Sequence, residues 1–197
     1  DVAKIFKKYS FETVFHFAGL KSIVESIENP SKYFFNNLLG TILILEEMRK
    51  TSVKKIIFSS SATVYGNKFN PPWKEDLNLL MPNNPYAQTK YMIENILESI
   101  VSETNEFHVG ILRYFNPIGA HRSGLLGEDI KKSVNLIPSI LNSIINAQTL
   151  NVFGNDYDTI DGTAIRDYIH VSDLIDGHLK AFNYINKYNG FNIWNLG

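Results

Sequence analysis

The sequence predicts an α/β protein built on a doubly wound parallel sheet. Short apolar, β-branched segments alternate with longer amphipathic stretches of helical period through the first 116 residues. The connections between successive strand-like segments are long enough to carry a helix, which is what parallel strands joined by right-handed crossovers require. Polar residues collect where three of these strands end, the side of such a sheet on which ligands bind.

Composition narrows the function classes before any motif is read. The chain has 197 residues, 44% hydrophobic and 13% aromatic, with a formal net charge of −1. That is apolar material for a sizeable core, and near-zero charge argues against a nucleic-acid or anionic-membrane surface. There are no cysteines, which rules out disulfides and thiolate metal sites. No apolar run approaches a membrane span, so a soluble, cytoplasmic protein without a membrane partner is expected.

Taken in order, residues 1–9 read as an amphipathic helix, with Val2, Ile5 and Phe6 opposite Lys4, Lys7 and Lys8. Thr13–Ala18 is a short buried strand ending at Gly19. After the Asn29-Pro30 break a long helix runs from about 31 to 51, and Lys55–Phe58 is a strand entering Ser59-Ser60-Ser61. A proline-rich loop covers 66–85. Asn84-Pro85 opens a helix to about Ser102, with Tyr86 in its first turn and Ile93, Ile96, Leu97 and Ile100 as its apolar stripe. His108–Arg113 is a third strand. Beyond Asn116 the texture loosens: a polar loop over 117–133, a helix near 134–147, a short strand at 150–153 and a Gly/Asp-rich loop at 154–163. Arg166–Val171 reads as a strand, Asp173 as the cap of a helix to about Ile185, and Phe191–Trp194 as the last strand.

Tyr86 and Lys90 are four residues apart, one helical turn apart on one face. An ammonium beside a phenol favours the phenolate, and a hydroxyl such as Ser61, from another segment, completes an acid/base set for a substrate alcohol. His121 and His170 read as structural. No His/Asp/Glu group has ligand spacing, and the acidic residues at 153–163 lack the alternation of a calcium loop, so no metal is expected.

The segments HFAGLK (16–21), FSSSATVYG (58–66), PYAQTK (85–90), RYFNPIGAH (113–121), FGNDYDTIDGT (153–163) and RDYIHVSDL (166–174) resemble the UDP-glucose/UDP-galactose 4-epimerases, members of the extended short-chain dehydrogenase/reductase superfamily. The resemblance covers nearly the whole chain. It implies a Rossmann-like sheet with part of a smaller substrate-binding lobe. Residues 1–116 would be part of the NAD-binding domain, and 117–197 would mix the end of the sheet with part of the UDP-sugar lobe. It implies Tyr86 as base, Ser61 as proton relay on the sugar's 4-oxygen, and Lys90 as holder of the nicotinamide ribose that also lowers the tyrosine's pKa. NAD contacts are implied at Phe17, Ala18, Gly19, Leu20, Lys21, Asn36 and Phe115, besides Ser61, Tyr86 and Lys90. UDP-hexose contacts are implied at Asn116, Asn135, Leu136, Asn151, Val152, Phe153 and Arg166, with Ser61 and Tyr86. Arg166 has the guanidinium fork that suits a diphosphate.

Related 4,6-dehydratases carry an acid beside the active-site hydroxyl, where this chain has Ala62; that argues against elimination chemistry. A dehydratase, a uronic-acid-sugar 4-epimerase, or a silent nucleotide-sugar or NAD binder are the alternatives. No Gly-rich strand–turn–helix unit stands among these residues, so the chain is expected to be an internal piece of a longer enzyme. A homodimer is expected through helices 31–51 and 86–102, on Ile42, Leu43, Leu45 and Ile100.

Overall fold

The computed structural model describes residues 1–66, 71–130, 133 and 135–197. Parts of the proline-rich loop (67–70), of the polar loop (131 and 132) and the first residue of the predicted 134–147 helix lie outside them. The described residues form two compact units, Asp1–Tyr114 with Gly177–Leu196, and Phe115–Asp176 with Gly197.

The first unit holds a four-stranded sheet of β1 (Thr13–His16), β2 (Lys55–Ser61), β3 (His108–Tyr114) and β6 (Gly190–Leu196), in that order, each neighbouring pair parallel. The register sets His16 beside Phe58, and Ser61 beside Tyr114 and then Leu196, so the strands end at similar heights. β2 is longer than the sequence suggests, because Ser59, Ser60 and Ser61 stay in the ladder with Leu112, Arg113 and Tyr114.

Period-two alternation sorts the strand residues between two cores. Ile56, Phe58, Val109 and Ile111 pack with Leu45 and Met48 of α4 (Gly40–Arg49) and with Ile93 and Leu97 of α5 (Pro85–Thr104). On the other face Ile57 and Leu112 meet Ala181 and Ile185 of α7 (Val171–Ile185). Gly110 belongs to this second face: a Cβ there would stand 2.6 Å from Ile57 Cδ1, so α7 and Trp194 close over a position that has no room for a side chain. The predicted stripe of α5 is in place, with Ile96 and Ile100 at the margin of the core. Asn84 caps α5 by accepting from Ala87 N at 2.9 Å, and Pro85 occupies its first turn.

The predicted long helix is continuous but not uniform. It runs through α3 (Pro30–Tyr33), a π-helical stretch (Phe34–Leu39) and α4. Leu45 is a core residue and Ile100 packs on the core, so neither is surplus apolar matter; Leu43 is half exposed. α1 (Val2–Lys8) is as predicted. α2 (Ile23–Glu28) was not foreseen, although Ser22 and Glu25 are spaced as a capping box and the Ser22 hydroxyl does accept from Glu25 N.

In the second unit β4 (Asn116–Ile118) pairs parallel with β5 (Tyr168–His170), a two-stranded sheet absent from the sequence reading. α6 (Leu136–Ile145) is the predicted helix. The strand predicted at 150–153 is not formed: the segment is irregular and exposed, with Val152 and Phe153 lying 70% and 92% in solvent. An apolar triplet becomes a strand only where a neighbour supplies the ladder. α7 begins at Val171, so Asp173 lies inside its first turn and is not the cap; His170 Nδ1 accepts from Ser172 N at 3.2 Å in the capping position. The same imidazole leaves no room beside Gly119 (φ +87°), whose Cβ would meet it at 2.3 Å.

Candidate active site

Ser61, Tyr86 and Lys90 are brought together in the first unit, where the end of β2 meets the first two turns of α5. The hydrogen-bond arrangement around Ser61 fixes its proton. Its Oγ accepts from Thr63 N at 3.2 Å and from Thr63 Oγ1 at 3.0 Å, which occupies both lone pairs. Its own O–H is left to donate, and the Ser61 hydroxyl acts on the Tyr86 phenol in the sense that favours the phenolate.

Lys90 is 5% exposed. Its ammonium donates to the Ser59 carbonyl at 2.6 Å and lies 4.7 Å from the centre of the Phe58 ring and 6.0 Å from that of Tyr86. Burial pulls its pKa down to about 8, against the opposing charge of Glu94. The sequence expectation that Lys90 lowers the tyrosine's pKa is not what the geometry gives. Burial raises Tyr86 above its ordinary value, and the opposing influence is the Ser61 hydrogen bond. The ammonium is turned toward a backbone carbonyl, with the phenol a ring's width away.

A layer of polar side chains supports these three. Tyr114 OH is bonded to His178 Nε2, and burial drives its pKa upward against an opposing influence from the Ser59 side chain. Phe17 stacks on His178 at 4.8 Å. His16 is buried, bonds Thr41 Oγ1 at 2.8 Å, and is held neutral with a pKa of about 4 by burial and by Lys90. Asn37, in the π-helical stretch, accepts from Leu20 N at 2.8 Å and donates to Leu20 O at 3.0 Å and to Thr89 Oγ1 at 3.3 Å. It thereby ties the Gly19–Lys21 loop to α5. A Cβ on Gly19 would press on Asn37 Oδ1 at 3.3 Å. An open cleft of about 430 Å³ lies alongside, lined by Leu20, Asn29, Ser31, Lys32, Phe35 and Asn36. Of the predicted cofactor contacts in this unit, Leu20 and Asn36 therefore share one cleft, while Ala18, Gly19 and Lys21 form the adjoining exposed loop.

Glu94, Arg113 and Asn37 are buried and close to this centre, and the sequence reading passed over them. Glu94 was visible as the next α5 position after Tyr86 and Lys90 at the same four-residue spacing. Arg113 carried no signal, being one letter in an apolar strand.

The predicted substrate residues of the second unit are arranged more loosely. Asn116 is anchored, its Nδ2 donating to Asp167 O at 2.7 Å. Asn135 stands just before α6 and donates to Glu128 Oε1 at 2.7 Å, and Leu136 is half exposed. Asn151, Val152, Phe153 and Arg166 are exposed, with Arg166 Nη1 on the Ile165 carbonyl at 3.0 Å. Phe115 is half-buried at the junction after β3. The acidic loop is closed by its own bonds: Asp161 Oδ1 accepts from Thr163 N and Oγ1, both at 2.9 Å, which holds its carboxyl below the usual range. Among the described residues no group of three or more His, Asp or Glu side chains is placed to hold a metal, and no helix is long and apolar enough to cross a membrane.

Several proteins similar to this chain in sequence and fold are UDP-glucose 4-epimerases. The UDP-glucose 4-epimerase of Bacillus subtilis (strain 168) is 49% identical over 198 residues, which is 100% of this chain and 58% of that protein. The crystal structure of the UDP-glucose 4-epimerase from Stenotrophomonas maltophila, with bound NAD and formylated UDP-arabinopyranose, superposes with a TM-score of 0.93 at 38% identity, covering 100% of this chain and 59% of that one. The enzyme from Bifidobacterium longum, in complex with NAD+ and UDP, gives 0.91 at 43% identity, covering 99% and 58%. The chain thus spans a little over half the length of the relatives it matches. The model of the NAD dependent epimerase/dehydratase family matches residues 1–197, end to end, and the chain belongs to that family.

Proposed function

We propose that the full-length protein interconverts UDP-glucose and UDP-galactose by 4-epimerisation through a 4-keto sugar, using tightly bound NAD. The observation that carries this reading is the Ser61 hydroxyl acting on the Tyr86 phenol, with Lys90 buried one turn away, in a chain 49% identical to a UDP-glucose 4-epimerase.

The residues present fit the nicotinamide end of a dinucleotide. Lys90 offers a buried cation, the Gly19–Lys21 loop and Asn36 offer polar groups beside an open cleft, and Phe17 offers an exposed ring. NAD⁺, when bound, supplies the acceptor for the hydride on the sugar's C4 and gives it back. Tyr86 takes the proton of the 4-hydroxyl and returns it when the oxygen is re-formed as an alcohol. Ser61, with its lone pairs filled by Thr63, presents a proton to that same oxygen or to the phenolate. Because burial raises Tyr86, the phenol rests protonated and the Ser61 donor is what favours the phenolate. Ala62 follows Ser61 directly, which supports epimerisation over dehydration.

In this reading the first unit serves the cofactor, with Phe115 at its margin. The second serves the nucleotide sugar, with Arg166 on the diphosphate, Asn116, Asn135 and Leu136 on the sugar nucleotide, and Asn151–Phe153 on the base. The protein is cytoplasmic and works as a homodimer through the helices at 31–51 and 86–102, where Leu43 is half exposed; a monomer by size exclusion at micromolar concentration removes the dimer. The test of function is chromatography of the full-length protein's product from UDP-galactose. UDP-glucose is expected, whereas a 4-keto-6-deoxy sugar or unchanged substrate refutes the assignment.

A further inference from the structure

We infer that Glu94 is a positioning residue: through Ser60 and Arg113 it sets where Ser61 and Lys90 stand relative to Tyr86. The inference rests on the epimerase reading for its rate consequence and on geometry for the rest.

Glu94 is 4% exposed and lies one turn beyond Lys90 on α5. One carboxylate oxygen accepts from the Ser60 hydroxyl. The other accepts from Arg113 Nη2 at 2.7 Å, with Arg113 Nε at 3.2 and 3.3 Å from the two. Ser60 is the residue between Ser59, whose carbonyl holds the Lys90 ammonium, and Ser61, whose hydroxyl acts on the Tyr86 phenol. Side chains alternate along a strand, so Glu94 grips the end of β2 through Ser60 while its neighbours serve the site. Arg113, 2% exposed, extends the grip. Its Nη1 donates to Tyr65 OH at 2.9 Å, and Tyr65 OH donates to Asn195 Oδ1 at 2.7 Å. Asn195 in turn bonds the Trp73 carbonyl at 3.0 Å and Glu75 Oε1 at 2.8 Å. Five elements are thereby locked to one carboxylate. A buried ion pair is a weak stabiliser compared with apolar packing, but a forked guanidinium–carboxylate pair admits few geometries. What Glu94 contributes is therefore a fixed place for the end of β2 against α5.

The test uses the full-length protein labelled with [13Cζ]tyrosine, with the Tyr86 resonance assigned by Tyr86→Phe. Two variants are compared with wild type: Ser60→Ala, which removes only the hydroxyl that Glu94 grips, and Glu94→Gln/Arg113→Met, which removes both buried charges together. Each is expected to shift the Tyr86 Cζ resonance and to lower kcat at least about tenfold with KM for UDP-galactose within about twofold, the pattern of a small misplacement in the reacting geometry. A fall in melting temperature with kcat per folded molecule and the resonance unchanged shows a merely structural pair and overturns the inference. So does a change in only one of the two readouts. If the double variant does not fold, Ser60→Ala decides alone. If the wild type does not epimerise, the functional reading fails and the resonance alone decides the positioning.

Discussion

Replacing Tyr86 by Phe separates what the phenol does for the fold from what it does for the reaction, because the two effects differ in size. In the structure the one polar influence on the hydroxyl is Ser61, at most one neutral hydrogen bond. Losing a neutral hydrogen bond costs about 0.5–1.5 kcal/mol, which in a chain of this size lowers the melting temperature by roughly 2–5 °C. Losing the group that takes and returns the proton costs about 10²–10⁴ in rate, equivalent to about 3–5 kcal/mol of activation free energy. The variant is therefore expected to fold, to keep its NAD, and to lose at least about two decades of kcat. Initial rates of UDP-glucose formation from UDP-galactose, thermal melts followed by circular dichroism, and NAD released on denaturation measure the three quantities on one preparation. A Tyr86→Phe enzyme within threefold of wild type would falsify the assignment of the proton to this oxygen. A loss of rate matched by loss of NAD would instead make Tyr86 a binding residue.

Lys90→Met is expected to abolish activity yet raise stability at pH 7 by about 2 kcal/mol. Depressing the lysine from 10.5 to about 8 costs on the order of 3 kcal/mol at about 1.4 per unit, offset by about 1 kcal/mol for the lost bond to Ser59 O. The sign follows from proton counts: between pH 8 and 10.5 the unfolded lysine binds a proton that the folded one has shed, so wild-type stability rises through that window and urea melts of the two proteins approach one another and then cross. His16, lowered from 6.5 to about 4, makes wild-type stability fall as pH drops through that interval, by about 3 kcal/mol in all; His16→Asn flattens this acid limb in melts taken from pH 7 to 4. Gly110→Ala is expected to destabilise by about 1–3 kcal/mol through overpacking, its methyl 2.6 Å from Ile57 Cδ1, and Ile57→Val on the same chain to recover part of the loss in the urea midpoint.

The architecture of the first unit was legible because its strands are short runs of apolar residues and its helices carry stripes, signals that survive without tertiary context. Val109 and Ile111, facing one core, and Leu112, facing the other, are set by alternation alone. The site was legible for a similar reason: Tyr86 and Lys90 belong to one helix, and the serine cluster belongs to one strand. What was not legible depends on partners far away in sequence. β4 is three residues with a proline in the middle, and only its pairing with β5, about fifty residues on, makes it a strand. Residues 150–153 have the composition of a strand and no ladder. The direction of the Tyr86 shift was misjudged because spacing shows that an ammonium is near, but not that it is bonded to Ser59 O. Arg113 needs Glu94, nineteen residues earlier, before its burial makes sense.

Those buried charges bear on how the site should be understood. Along one face of α5, Tyr86, Lys90 and Glu94 pass from the half-buried end of the helix into the core, beside Ile93 and Leu97, which lie at 1% and 0% exposure. For stability alone a leucine or methionine at position 90 would serve better, since the ammonium has a backbone carbonyl and an aromatic face for company and its pKa registers the cost of burial. Glu94 is different: it is fully satisfied by Ser60 and Arg113. A helix that places a desolvated cation between a phenol and a satisfied carboxylate departs from the consistency expected of a core chosen for folding. The departure is confined to the turn that faces Ser59 and Ser61. Burial destabilises the charged lysine at this turn, while the influence that favours the phenolate comes from Ser61. Lys90 therefore weakens the fold at the turn where the site holds its cation, and Lys90→Met should separate the enzyme's stability from its rate at a single residue.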